Sequence, residues 1–145
     1  MEIRETQIKD LEKLAWLYMQ SYNGDTGVIT DIEKIINKFN YLLSDKNYKF
    51  FSCLQGDKVI GYCSIVINQV IFGEQKPLIM VWHLRVDPSF RKQSVGTKLL
   101  EFVEKFGKSI NADYVCLLTD SDNYGAHEFY KKNKYLECPS YYKYL

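Results

Sequence analysis

The sequence has few of the residues that bind metals or cross-link small folds. It carries two histidines and four cysteines, and no two cysteines are spaced C-x-x-C. This excludes the common zinc spacings and supplies no disulfide framework. Cys53, Cys63 and Cys116 fall in strand-like runs, so reduced and mostly buried thiols are expected. Charge of one sign is also missing: 19 Lys and Arg face 18 Asp and Glu, for a net charge of +1. That balance argues against a general nucleic-acid binder. No apolar run is long enough to span a bilayer. The longest, around Leu78 to Val86, is broken by His83 and Arg85 and reads as a strand. The first ten residues alternate in charge and hold no apolar signal-peptide core, so a cytoplasmic setting without a membrane partner is expected. Neither G-K-[ST] nor G-x-G-x-x-G occurs, which removes the P-loop and the dinucleotide fingerprint. No repeat, low-complexity tract or linker divides the 145 residues, so a single domain, 1–145, is expected.

What is present is a soluble globular pattern. Apolar residues make up 46% and aromatics 15%, with 12 Tyr, enough for a substantial core. "EIRET" starts a short strand. Ile8, Leu11, Leu14, Ala15 and Tyr18 share one helical face, and Asn23 to Gly27 form a turn or loop. Asp31 caps a second helix whose apolar side is Ile32, Ile35, Ile36, Phe39, Leu42 and Leu43. "YKFFSCLQ" and "KVIGYCSIVIN" flank Gly56-Asp57, as a tight hairpin requires. After a connection over Phe72 to Pro77, "LIMVWHLRV" is apolar on both faces and belongs inside a sheet. Val95, Leu99, Phe102, Val103, Phe106 and Ile110 recur at helical spacing. "DYVCLLT" is a buried strand, and "NYGAHEFYKKN" is a helix ending at Asn133, which tolerates a left-handed cap. "YLECPSYYKYL" gives one or two final strands around Pro139. The order is β-α-α-β-β-β-α-β-α-β(β), a mixed α/β sheet with helices on both faces.

The chemistry concentrates in "DPSFRKQSVGTKLL", Asp87 to Leu100. A strand here turns into a helix through small and cationic residues. The first helical turn has N–H groups with no partner inside the helix, and the helix dipole adds positive character. Arg91, Lys92 and Lys98 add formal charge, and Gly96 permits close backbone approach. These features suit a pyrophosphate, and they equally suit a solvated helix start.

Together with a second motif, this stretch resembles the GCN5-related N-acetyltransferase (GNAT) family. The family's loop [QR]-x-x-G-x-[GA] is matched by Arg91, Lys92, Gln93, Ser94, Val95 and Gly96. Its N-x-x-A-x-x-F-Y-x-x-x-G-[FY] motif is matched by Asn123, Ala126, Phe129, Tyr130 and Tyr135. The element order agrees across nearly the whole chain. The resemblance implies a GNAT-type fold, acetyl-CoA as cosubstrate, no metal, a small-molecule amine acceptor and a possible homodimer. It implies main-chain contacts from Leu84, Arg85 and Val86 to the pantetheine arm. Pyrophosphate contacts would come from Arg91 through Thr97, and coenzyme contacts from Asn123 and Tyr130. The Leu84 amide would stabilise the oxyanion of a tetrahedral intermediate, and Tyr130 would act as general acid on the departing thiolate.

Two positions depart from the family pattern. Ser94 replaces the first loop glycine: its side chain would push the ligand back, donate to a phosphate, or cap the helix. Lys134 replaces the glycine after the second helix, where Asn133 is expected to supply the turn. The strand before the loop offers no carboxylate as base. His83, a bound water and an amine that arrives neutral remain the alternatives. His127 is expected in a surface or capping role. The acceptor pocket is expected between the loop joining the first two helices, the third-strand region and the C-terminal strands, with Asp25, Glu74, Asp120 and Asp122 as candidate acids. The alternative functions are an acyl-CoA-binding module without catalysis and acetylation of a protein or peptide amine.

Overall fold

The computed structural model describes residues 1–20, 31–70, 75–141 and 143–145. Five strands form one sheet in the order β1 (Glu2–Glu5), β2 (Tyr48–Gln55), β3 (Lys58–Asn68), β4 (Leu78–Val86) and β5 (Val115–Leu117). Neighbours are antiparallel except β4 and β5, which run parallel. Gly56, at φ 59°, and Asp57 make the two-residue turn between β2 and β3, where a left-handed residue is needed. The turn expected over Asn23 to Gly27 lies outside the described residues.

Alternation along the strands separates two cores. Phe50, Leu54, Val59 and Tyr62 face α1 (Leu11–Met19) and α2 (Ile32–Leu43). Phe51, Cys53, Ile60, Cys63 and Ile65 face α3 (Val95–Ser109). Period-two alternation against amphipathic helices places helices on both sides of the sheet, as expected. The Asp31 carboxylate caps α2 by accepting from the amides of Glu33 and Lys34. Ile8 departs from its expected place. It stands on a short 3-10 turn before α1 and is exposed, while Leu17 is buried instead. No helix among the described residues is long and apolar enough to cross a membrane.

The final strands are the one expected element that does not form among the described residues. Leu136, Tyr141, Tyr144 and Leu145 are all exposed, so no apolar face anchors the tail. Pro139 lacks an N–H, and the three residues of β5 offer a short edge to pair with.

Candidate functional site

The site is built on a strand that loses one neighbour halfway along. β5 pairs with β4 only at Ile79, Met80 and Val81. On the other side of β4, the pairing with β3 continues to Val86 but skips Trp82, between the pairs Ile65–Val81 and Ser64–His83. Trp82 is therefore an extra residue, a β-bulge. It changes the parity of the strand. Ile79 and Val81 before it, and Leu84 and Val86 after it, all pack toward α3. Beyond the bulge, no strand among the described residues runs beside β4 on the β5 side.

Backbone direction follows from one bond. The Asp87 N–H donates to the Ile60 carbonyl at 2.9 Å. Alternation along an antiparallel pair then directs Arg85 toward β3 as well, and turns the N–H and C=O groups of Leu84 and Val86 into the gap. Arg85 Nη1 donates to the Leu84 carbonyl at 3.2 Å. A cleft of about 1020 Å³ occupies the gap, large enough for a cofactor-sized ligand.

At one end the cleft meets the start of α3. Lys98 N–H closes the first helical bond on the Ser94 carbonyl at 3.0 Å, so the amides of Val95, Gly96 and Thr97 precede the helical ladder. Lys92 and Ser94 have φ of 60° and 62°. Left-handed residues on either side of Gln93 are the kind of backbone that turns successive amides to one side as an anion nest. Ser94 thus stands where a glycine costs nothing, and its hydroxyl does not cap the helix as one expectation had it. The loop is braced from α1: Lys13 Nζ lies 2.8 Å from Asp87 Oδ2, and the Ser89 amide donates to Oδ1. Burial alone would raise the Asp87 pKa, but Lys13 and Ser89 hold it below the usual carboxylate range.

α4 (Tyr124–Lys132) forms the opposite wall. Asn123 is its N-cap: Oδ1 accepts from the Ala126 amide, which leaves Nδ2 as the donor for a ligand. Gly96 has a role the sequence did not reveal. A Cβ there would sit 3.1 Å from Cζ of Phe129, so glycine lets α4 approach the start of α3. Tyr130 lines the cleft. Burial raises its pKa, Cys63 adds to this and Arg85 opposes it, so the phenol stays protonated at neutral pH. The helix ends in a Schellman motif, with Lys134 N–H on the Lys131 carbonyl and Tyr135 N–H on the Tyr130 carbonyl. The left-handed residue is Lys134, at φ 65°, and not Asn133 as expected. Asn133 instead donates from Nδ2 to the Phe129 carbonyl at 2.8 Å. The Tyr135 hydroxyl donates to Glu104 of α3 at 3.1 Å, and its ring lies 6.0 Å from that of Tyr130.

The cleft gathers Leu84, Arg85, Val86, Arg91, Lys92, Ser94, Val95, Gly96, Thr97, Asn123 and Tyr130, all of them expected site residues. Gln93 and His83 are not among its lining. Gln93 turns back to the Ser89 carbonyl at 3.1 Å. His83 faces α1 and α2, with ring centroids 5.3 Å from Tyr18, 6.3 Å from Phe39 and 6.2 Å from Tyr62. Its Nδ1 is 3.0 Å from Ser64 Oγ. Burial and the charge of Arg85 bring its pKa down to about 4, so it is neutral at pH 7 and a weak base. His127 has a capping role, with Nε2 3.0 Å from the Asp120 carbonyl. Of the candidate acids, Asp120 lines the cleft and Asp122 does not, while Asp25 and Glu74 lie outside the described residues.

Sequence reasoning missed Trp82, Phe129 and Lys13 as parts of this arrangement. The parity change from Ile79/Val81 to Leu84/Val86 was the available signal for the bulge, but apolar Met80 and Trp82 mask it.

Comparison with known proteins agrees with this geometry. A protein of Archaeoglobus fulgidus named as an uncharacterized N-acetyltransferase is 30% identical over 132 residues, covering 90% of this chain and 89% of its own. Among solved structures, a transcriptional regulator from Bacillus halodurans C-125 superposes with a TM-score of 0.89 at 18% identity, over 99% of this chain and 98% of its own. The enzyme AAC(6')-Iy, in complex with the bisubstrate analog CoA-S-monomethyl-acetylneamine, superposes with a TM-score of 0.83 at 19% identity, over 99% and 96%. At these identities the two structures speak for the fold. The model of the acetyltransferase (GNAT) family matches residues 8–135, and the chain belongs to that family.

Proposed function

We propose that the protein moves an acetyl group from acetyl-CoA to a primary amine of a small-molecule acceptor. The observation that carries this reading is the parting of β4 from β5 beside the left-handed turn that opens α3, with Tyr130 across the gap. The parts of acetyl-CoA match features already described. The amides of Val95 to Thr97, with Arg91 and Lys92, suit its pyrophosphate. The outward main-chain groups of Leu84 and Val86 suit the amides of an extended pantetheine arm, as an added strand would.

When bound, the coenzyme supplies an activated thioester carbonyl for the acceptor amine to attack. The Leu84 N–H faces the gap and donates to the oxygen on which charge develops. Tyr130, protonated at neutral pH, gives its proton to the departing sulfur. Asn123 offers Nδ2 to the coenzyme arm. His83 stays outside proton transfer, because it is engaged with Ser64 and its pKa is about 4.

The test is thiol release from acetyl-CoA across a panel of amines. Tyr130→Phe is expected to lower kcat about 10²-fold or more while leaving KM for acetyl-CoA nearly unchanged. If the coenzyme raises the melting temperature but no amine accelerates thiol release, a coenzyme-binding module without catalysis is the better reading.

A further inference from the structure

We propose that the acceptor is a primary monoamine carried on an apolar or aromatic body. This rests on the acetyl-transfer reading above and narrows it. The thioester would lie near the bulge, where β5 parts from β4. The lining there is Met80, Trp82, Leu117, Leu118 and Tyr144. Trp82 is 52% exposed and Leu118 is 60% exposed. Large apolar side chains left open to water at the mouth of a cleft mark a surface made for a ligand.

Charge points the same way. Asp120 is the one carboxylate among the described residues that line the cleft. A polyamine or amino sugar with several ammonium groups needs several acids to offset its desolvation, and the described lining supplies one. An apolar wall also disfavours the ammonium form of the amine it receives, because burial penalises the charged state. The acceptor therefore reaches the thioester as a neutral nucleophile. That accounts for a strand with no carboxylate in the position of a base. On reaction the amine nitrogen forms a bond to the acetyl carbon and the carbon–sulfur bond breaks. The sulfur leaves as the thiol with the Tyr130 proton; the proton lost from nitrogen passes to solvent, and solvent returns one to Tyr130.

The experiment compares phenethylamine, a peptide with a free N-terminal Met-Leu, and spermidine, each as acceptor with acetyl-CoA and thiol detection. Phenethylamine is expected to exceed spermidine in kcat/KM by about tenfold or more, and Trp82→Ala to raise KM for phenethylamine about tenfold. The same variant is expected to keep the melting-temperature rise that acetyl-CoA produces. kcat/KM should rise with pH and level off at the acceptor's own pKa, a midpoint that moves when benzylamine replaces phenethylamine. A peptide that outperforms phenethylamine keeps the chemistry and assigns it to polypeptide N-termini. Spermidine at or above both overturns the inference and leaves acetyl transfer standing. Thiol release with none of the three, nor with any wider amine, overturns acetyl transfer and this inference with it.

Discussion

The two stretches of β4 are made from similar residues and do different work. From Ile79 to Val81 the strand is held between β3 and β5; from His83 to Val86 it keeps β3 and loses β5. The first stretch is ordinary sheet interior. The second has one inserted residue, a histidine packed among aromatic rings on one face, and main-chain groups open to a cleft. Burial follows pairing: Ile79 and Val81 are buried in the first stretch, while the second has exposed Trp82 and no buried residue. A strand closed on both sides has no backbone to offer a ligand, and a strand closed on one side can bind a ligand as its missing neighbour.

Removing the insertion should erase the difference. Deleting Trp82 restores an unbroken alternation. It leaves Leu84 and Val86 on the α3 face and His83 and Arg85 on the other, because Leu84 then follows Val81 by two positions. We expect the fold to survive and acetyl-CoA affinity to fall about tenfold or more as the straightened strand closes the gap to β5, read by denaturant unfolding and by the melting-temperature rise with the coenzyme. A deletion variant with an unchanged unfolding midpoint and intact acetyl-CoA binding would show that the bulge is not what parts the strands.

The next effect tests what frames the open stretch. Gly96→Val places carbon where the Phe129 ring already lies, at 3.1 Å from Cζ for the first added atom. The expected result is about a tenfold loss of acetyl-CoA affinity, from overpacking of the order of 1–3 kcal/mol. Phe129→Leu in the same chain should recover part of it if the damage travels through α4. Absence of any recovery would place the clash on the ligand itself, as the sequence alone suggested.

How much of this was legible follows from what periodicity records. Helix faces, the Gly56-Asp57 hairpin and the strand-to-helix turn all leave side-chain patterns, and those expectations held apart from Ile8. Of the residues carried by the two motifs, all but Gln93 and Tyr135 line one cleft. Periodicity is silent on backbone pairing. It could not show that β5 stops at Leu117, that Trp82 is an insertion, or that Gly96 serves Phe129. Nor could it place His83 on the face away from α3, since Met80 and Trp82 leave the strand apolar on both sides up to that point. The final strands were overread from β-prone residues, of which Leu136, Tyr141 and Leu145 are exposed.

His83 gives the comparison a pH readout. Its folded pKa of about 4 lies below the 6.5 of an exposed histidine. The unfolded chain therefore binds the proton first. The stability held by the neutral ring is full above pH 6.5 and is lost as pH falls toward 4, by at most about 3 kcal/mol. Around the ring stand Tyr18, Phe39, Tyr62 and Ser64, and the charge of Arg85 opposes its protonation. Asp10 and Asp87, whose pKa values are lowered by Arg4 and Lys13 against the opposing effect of burial, add their losses only below about pH 4. His83→Phe should flatten the melting temperature between pH 6.5 and 4.5. A wild-type profile already flat there would remove the ring from this account.

The smallest effects separate the end of the open stretch from a helix end that touches no ligand. Ser94 and Lys134 both hold left-handed backbone where the family pattern has glycine, and Asn111 holds the same conformation after α3. Each of the first two pays for a Cβ that glycine lacks, whereas asparagine tolerates the region. Lys134→Gly should stabilise by about 0.5–1 kcal/mol and leave acetyl-CoA affinity alone, because Lys134 only completes the Schellman turn. Asn111→Gly should change stability by no more than a few tenths of a kcal/mol. Ser94→Gly should give the same stabilisation as Lys134→Gly and also keep or tighten coenzyme binding, since the turn it relaxes directs the amides of the loop. Thermal melts with and without acetyl-CoA read all three variants. If Ser94→Gly stabilises the free protein yet weakens the coenzyme, the hydroxyl is itself a phosphate donor, and the strained serine is retained for that bond.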